Sequence, residues 1–582
     1  MRASNALLQL LREYDVKHVF GLPGETTVNL YRDWHEFQDI VHVLTRDERS
    51  SSFMADGYAR TSFKPGVCEG PSVGSTHLIP GVAEAYKASV PMIVITTDIP
   101  LKYQGRNMLT EIDQTALYKG VTKETITITT GSEIPFVIRR AFRLATTGRL
   151  GPVHIRIPSD VFDGEVREND VYAQKDFTRY PGHRSPAELD KISQAVSLLT
   201  KSERPLIVCG QGVLLSQAWN EVIAVAEFLG IPVGTTTAGK GSFPEVHPLS
   251  IGVVGARGGT RFSNKVLDDS DLLFYIGSNT DSASTDTWTL PRLENDKKII
   301  HLDVSEAEAG NNYRTDVFLV GDAKATLQAM IGIIQEKLQK KNLSEIPRLQ
   351  GIMKEAEQYY SSVKDLMESE ERPVHPMRFI RRLSEIIDQD HVIVTDPGVS
   401  AIYASTFHKV KKPGRSILFN YSLGALGYAV PASIGVRFAR PDSCVVALTG
   451  DGSFGFCAGE LETLSRVGGN VKVILFNNSS FGWIRAAMRF GWMDIGGHEK
   501  TRGNMYFATD FKDVDYVKIT EGFGLEAYRV ETHEELETAL KKMFNSDNPA
   551  FLEIKSEPED RLVPPVPSWA RKAKDLGLKY VY

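Results

Sequence analysis

Short apolar runs alternate with helix-length amphipathic stretches almost from end to end of this chain. In the first third, VKHVF precedes the turn GLPGE and a helical TTVNLYRDWHEF. IVHVLT then precedes ERSSSFMADGYAR, and PGVC leads through a glycine-rich stretch and a helix around AEAYKA to the strand MIVITT. The middle third repeats the order with PLIVCGQG, WNEVIAVAEFLG, IPVGTTT, DLLFYIG and KKIIHLD. The last third runs HVIVTD, GYAVPASIGVRFA, CVVALTGDG, GELETLSRVG, VKVILFNN and AFLEI. Strand and helix in strict alternation call for parallel sheets covered by helices on both faces.

The pattern divides the 582 residues into three α/β units, each a doubly wound parallel-sheet domain, and a tail. The expected domains are 1–172, 185–345 and 372–555, followed by a C-terminal tail over 556–582. The polar stretch Ala173 to Arg184 reads as a first linker, and the charged, mostly helical stretch Ala323 to Glu371 as a second. A length of 582 residues corresponds to about four average domains or three large ones. The 42% of apolar residues is enough for cores of that size.

Charge and cysteine content exclude several classes. Sixty-seven basic against 73 acidic residues leave a net charge of −6, so no global nucleic-acid footprint is expected. Cys68, Cys209, Cys444 and Cys457 form no CxxC pair, which argues against both a disulfide framework and a zinc site. The opening MRASNALLQLLREYDV is amphipathic and lacks the apolar core of a signal peptide, and no run of 18 or more uncharged apolar residues occurs. A cytoplasmic protein without membrane segments is the expectation.

The sharpest chemical signal is Gly450-Asp451-Gly452 followed by Asn477-Asn478. Each group closes an apolar strand, and one helix lies between them. A right-handed crossover brings both strand ends to the same sheet edge, where open α/β sheets bind ligands. A carboxylate and an amide oxygen there suit a hard divalent cation such as Mg²⁺, which spends its other coordination positions on phosphate oxygens. Gly452 and Ser453 open the next helix, whose free N–H groups favour a diphosphate, and Gly450 counts with them among the cofactor-binding candidates.

On these residues the chain resembles the thiamine-diphosphate (ThDP) dependent enzymes of the acetolactate synthase and 2-oxo acid decarboxylase superfamily, over about residues 4 to 555. The resemblance implies ThDP and Mg²⁺ as cofactors, with Asp451, the Asn478 side chain and the Ser480 carbonyl as metal ligands. It makes Glu48, before Gly57-Tyr58-Ala59-Arg60, the carboxyl that shares a proton with the aminopyrimidine ring. The family's usual His before that Glu is Asp47 here. Gly424 and Leu426, in Ser422-Leu423-Gly424-Ala425-Leu426-Gly427, would support the bent cofactor through the Gly424 carbonyl and the Leu426 side chain and N–H.

Departures from acetolactate synthases concern the substrate. The GPGATN segment corresponds to Ser72-Val73-Gly74-Ser75-Thr76-His77, with Gly70-Pro71 an alternative register, so His77 takes the place of Asn and becomes a candidate for proton transfer. Thr110 stands where a catalytic-site Gln is usual. Asn279 replaces the Arg of an Arg-Phe-Asp-Asp segment, so FAD is not expected, although Asp303 sits where a nucleotide ribose could bind. Ala487 replaces a Trp, and Trp483 adds bulk one turn earlier.

The implied activity is making or breaking a carbon–carbon bond beside the carbonyl of a 2-oxo acid or related small molecule. The alternatives are a 2-hydroxyacyl-CoA lyase, with Arg571, Lys572, Lys574 and Lys579 as its basic tail, and a non-catalytic protein of the same fold. A homo-oligomer, dimer or tetramer, is expected, because in this family the Glu48 and GDG sites meet across a subunit interface. The proline-rich Leu562 to Pro567 should run as a stiff extended strap, with Trp569 as an anchor near the cofactor cleft.

Overall fold

The computed structural model describes residues 1–293, 297–491, 506–558 and 561–577. Three six-stranded sheets, parallel throughout, carry the chain. The first is ordered Val41–Leu44, His18–Gly21, Gly66–Gly70, Met92–Asp98, Pro152–Pro158, Glu124–Thr127. The second runs Val317–Val320, Lys298–Asp303, Leu272–Ile276, Pro205–Cys209, Val233–Thr235, Ser250–Val253. The third runs Ile417–Phe419, Val392–Thr395, Val445–Gly450, Val471–Asn477, Ala550–Lys555, Glu526–Val530. Central strands such as Met92–Asp98 and Val471–Asn477 are buried at every residue, as expected of a parallel sheet with both faces covered.

The first and third sheets share one permutation: second strand, first, third, fourth, sixth, fifth. Equivalent helices from the two units, Glu48–Ser62 and Ala429–Ala439, pack face to face. Their backbones touch at reciprocal glycines. A Cβ on Gly57 would drive into the Ala432 carbonyl, and a Cβ on Gly435 into that of Met54. This explains Gly57 in the GYAR segment as a packing requirement. The joint core unites Phe53, Met54 and Ala59 with Tyr428, Ile434 and Val436.

A polar network is sealed inside that core. The Arg60 guanidinium donates to the Asp56 carboxylate at 2.6 Å and to the Phe419 carbonyl at 3.2 Å, and lies 3.7 Å from Glu84. The Tyr428 hydroxyl donates to Asp56 at 2.6 Å. Removing one member would strand a buried charge, at about 3–5 kcal/mol.

Two expectations need correction. Ala323–Lys337 is a covering helix of the second sheet, with Ala323, Leu327, Met330 and Ile334 buried, and does not belong to a linker. Its buried residues share one face, while Ala329, Ile331 and Ile333 on other faces are only partly buried. The helix expected directly after GDG is a single turn, Asp451–Phe454, and the longer helix starts only at Glu460.

Candidate functional site

The GDG motif lies at the carboxyl end of Val445–Gly450, and the strand Val471–Asn477 runs beside it with Gly450 opposite Phe476. That register brings Asp451 and Asn478 to one point. The Ser480 N–H donates both to Asp451 Oδ2 at 3.2 Å and to Asn478 Oδ1 at 3.1 Å, and the Ser480 hydroxyl donates to Asn478 at 2.9 Å. Asp451 Oδ1 accepts from the Gly452 N–H at 2.9 Å. Burial pushes the Asp451 carboxyl up to about 7, while the backbone N–H groups of Gly452, Ser480 and Ser479 pull it back. A carboxylate held out of water by amide donors alone, beside an amide oxygen, is a donor set that fits a hard divalent cation. Gly452 is required by space: a Cβ would lie 2.6 Å from the Phe481 ring. Ser453 is buried in the Asp451–Phe454 turn.

Asp396, which no motif in the sequence marks, adjoins this point. It closes Val392–Thr395, the neighbour of the GDG strand, and its side chain accepts from the Thr449 hydroxyl and the Tyr428 N–H, both at 2.8 Å. Burial raises its pKa to about 6. Its sequence signal was an apolar strand ending in Asp-Pro-Gly.

The Gly424 segment is shaped from another part of the chain. The N–H groups of Ser422, Leu423 and Gly424 donate to the Glu84 carboxylate at 3.3, 2.8 and 3.1 Å. Glu84 is fully buried on the helix Ile79–Lys87, and burial raises its pKa against the opposing Arg60 charge. Gly424 adopts φ +84°, which glycine reaches without strain, and Leu426 is half-buried beside it.

Glu48 opens the helix Glu48–Ser62 and is 6% exposed. Asp47, the residue that departs from the family pattern, caps this helix by accepting from the Arg49 N–H at 2.8 Å. Glu48 Oε2 meets His77 Nδ1 at 3.1 Å, and a Cβ at position 74 would collide with Glu48 Oε1, so Gly74 makes room for the carboxylate. Asp47, Glu48 and His77 bring their ligand-type atoms within 4.8 Å of one another. Thr110 reaches the same loop through its backbone, its carbonyl accepting from the Ser72 hydroxyl at 2.6 Å, while its side chain is exposed.

Among the described residues Glu48 makes no hydrogen bond or ion pair with Asp451, Asn478 or Ser480. Its helix start is tied to the stretch after GDG through its neighbours instead: the Arg46 N–H donates to Glu460 at 3.0 Å, and Arg49 donates to the Phe456 carbonyl. Within one chain, no hydrogen bond or ion pair among the described residues joins the Glu48–His77 group to the Asp451–Asn478–Ser480 group.

A further cavity of about 330 Å³ lies at the carboxyl ends of the second sheet, bounded by Gly210, Gly277 and Gly321. Asn279 and Asp303 both line it, as do Asp281, Glu308 and Asp322. Arg149 crosses it to donate to Glu308 at 2.8 Å.

The tail packs on the helix Gly482–Gly491 that follows Ser480. Its own helix, Pro567–Asp575, starts at the last strap proline. The Trp569 ring lies 4.5 Å from Trp483 and 5.6 Å from Phe490, centre to centre. Among the described residues no helix is long and apolar enough to cross a membrane.

Comparison with known proteins agrees with this architecture. Residues 1–117 match the thiamine pyrophosphate enzyme N-terminal TPP binding domain, 192–330 the central domain, and 396–554 the C-terminal TPP binding domain. The chain is 34% identical to a probable acetolactate synthase large subunit of Methanocaldococcus jannaschii, over 97% of this chain and 94% of that protein. It is 31% identical to an acetolactate synthase of Arthrospira platensis (98% and 97%), and 33% identical to an acetolactate synthase large subunit of Corynebacterium glutamicum (95% and 86%). With all three domains matched and relatives aligned along nearly its whole length, the chain belongs to the thiamine-diphosphate-dependent enzymes of the acetolactate synthase superfamily.

Proposed function

We propose that this enzyme uses ThDP and Mg²⁺ to take the acyl unit of a 2-oxo acid, with loss of CO₂, and to release it or pass it to an acceptor. The observation that carries this reading is the Asp451–Asn478–Ser480 constellation, a buried carboxylate and amide oxygen at a sheet edge with glycine on either side of the carboxylate. Asp451, Asn478 and the Ser480 carbonyl would hold the cation, with Gly450, Gly452 and Ser453 admitting the diphosphate. Gly424 and Leu426 would support the ring system. Glu48 would hold a proton at the pyrimidine end, with His77 and the Thr110 loop beside it. When bound, ThDP supplies the carbanion that attacks the substrate carbonyl and the electron sink for decarboxylation. The test is CO₂ release from a panel of 2-oxo acids, with and without ThDP. Release that does not depend on ThDP, or none from any acid with ThDP bound, sinks the reading.

The family resemblance carries with it a homodimer or a tetramer, in which Glu48 of each protomer completes the partner's cation site. The functional units would then be 1–172, 185–345 and 372–555, with the 556–582 tail closing over the helix that follows Ser480. Deleting 556–582 should leave ThDP affinity intact while KM rises or turnover falls, as steady-state kinetics will show. Kinetics equal to those of the full chain would make the tail a structural appendage.

The cavity of the second sheet should hold no flavin. Asp281, Asp303, Glu308 and Asp322 line it against Lys87 and an Arg149 already paired with Glu308, a poor setting for a pyrophosphate. Purified protein should be colourless, and a stoichiometric flavin absorbance band would refute this. The reading includes a cytoplasmic location, with neither a nucleic acid nor a membrane as partner.

A further inference from the structure

One cationic side chain at the junction of the second and third units, Arg257, has no counter-charge among the described residues. Arg257 lies in the loop Gly255-Ala256-Arg257-Gly258-Gly259, and the structure holds that loop firmly. The Gly255 N–H donates to Asn264 Oδ1 at 2.7 Å, and the Asn264 amide donates back to the Gly255 carbonyl at 3.1 Å. The Arg257 carbonyl accepts from the Thr237 hydroxyl, and at 3.4 Å from the Ser405 hydroxyl. Gly258, at φ +105°, is pressed against the Ser405 side chain of the helix Val399–Phe407, so that no larger residue fits.

The side chain leaves this anchored loop toward the third unit. Its guanidinium carbon sits 4.6 Å from the centre of the Trp483 ring. Among the described residues it makes no ion pair, and the guanidinium donates no hydrogen bond. Arginine is rarely half-buried with all five donors unspent, because each would otherwise pair with a carboxylate or a carbonyl.

Two chain segments locate it. Trp483 stands three residues after Ser480, and Tyr421 three residues before Gly424. The Tyr421 hydroxyl is fixed by the Gly398 N–H at 2.9 Å and donates to the Gly398 carbonyl at 3.0 Å. Burial pushes the Tyr421 hydroxyl up to about 12, and the Arg257 charge pulls it back. Arg257 therefore lies against the helix that follows the residues assigned to the cation.

We infer that Arg257 is the specificity-determining residue that receives the carboxylate of the 2-oxo acid, its planar fork held ready by Trp483 and by the anchored glycine loop. The inference rests on the function proposed above and adds to it the group that recognises the substrate. A guanidinium stacked on an indole keeps its edge free, and that edge matches a carboxylate with two parallel hydrogen bonds. The competing role is a cation–π clasp between the two units, with no part in binding.

The two roles separate in the full-length holoenzyme. The probes are pyruvate as substrate and oxamate as its unreactive isostere. Oxamate binding is followed by tryptophan fluorescence, with Trp483→Phe identifying the responding indole. Arg257→Gln should weaken oxamate and raise the KM for pyruvate by about 10- to 100-fold, the loss expected for one charge-assisted pair. ThDP affinity and kcat should change by less than about threefold. Arg257→Lys keeps a cation over the indole but loses the fork, and should recover only part of the affinity. Oxamate affinity and KM unchanged in Arg257→Gln, with ThDP bound, overturn this assignment alone, as does a wild-type enzyme that binds ThDP but not oxamate. A wild-type enzyme that binds no ThDP overturns the proposed function together with it.

Discussion

Glu48→Gln enzyme should bind ThDP with close to normal affinity and lose about 10²- to 10⁴-fold in turnover, the usual contribution of one positioned acid–base group. The amide is the right shape for the site. Glu48 is 6% exposed, its Oε1 faces the open space left by Gly74, and its Oε2 meets His77 Nδ1 at 3.1 Å. A glutamine side chain can occupy the same volume and still pair with the imidazole. It cannot take up and return a proton at the pyrimidine. Calorimetry gives the affinity, and turnover at saturating ThDP gives the chemistry. Near-normal turnover would remove Glu48 from the mechanism.

Asp451→Ala should weaken Mg²⁺-dependent ThDP binding by more than about 100-fold, because it removes the single carboxylate of the cation site. The substitution also leaves the Gly452 N–H without its acceptor and removes one of the two acceptors of the Ser480 N–H, but keeps the strand register that carries them. The protein should therefore fold, bind ThDP feebly at any Mg²⁺ concentration, and resemble wild-type enzyme stripped with a chelator. Unchanged affinity by calorimetry would sink the metal assignment. The two variants also test the shared site. After subunit exchange, a mixture of Glu48→Gln and Asp451→Ala protein should regain part of the activity, since one site of a mixed dimer then holds both intact residues. Exchange confirmed by mass with no recovery would place both groups in one protomer's site.

Much of the architecture could be read from the chain because parallel sheets write themselves as apolar runs between amphipathic helices. The meeting of Asp451 and Asn478 was legible for a related reason. Asp451 and Asn478 each close a strand, and the crossover between them is local in sequence. Glu84, Asp396 and Arg257 were hidden for the opposite reason. Glu84 acts on backbone N–H groups more than 330 residues away, and nothing local to AEAYKA announces that. Arg257 is one arginine among many until a distant helix brings Trp483 under it. The helix Ala323–Lys337 runs on into a charged helical stretch, and only its packing on the second sheet separates the two. His77 needed no distant partner, since the loop that carries it returns to the start of the Glu48 helix.

The reciprocal glycine contact between Glu48–Ser62 and Ala429–Ala439 also bears on how the chain comes to life. During synthesis the first helix leaves the ribosome well over 300 residues before its partner. Until then Met54, Gly57 and the Arg60–Asp56 pair have no far wall, and apolar surface meant for the interior faces water. The first unit must wait as an incomplete intermediate, in need of a holdase or of rapid elongation, because domains usually fold in the order they are made. Here that order ends in a closure, with the last third of the chain sealing the first.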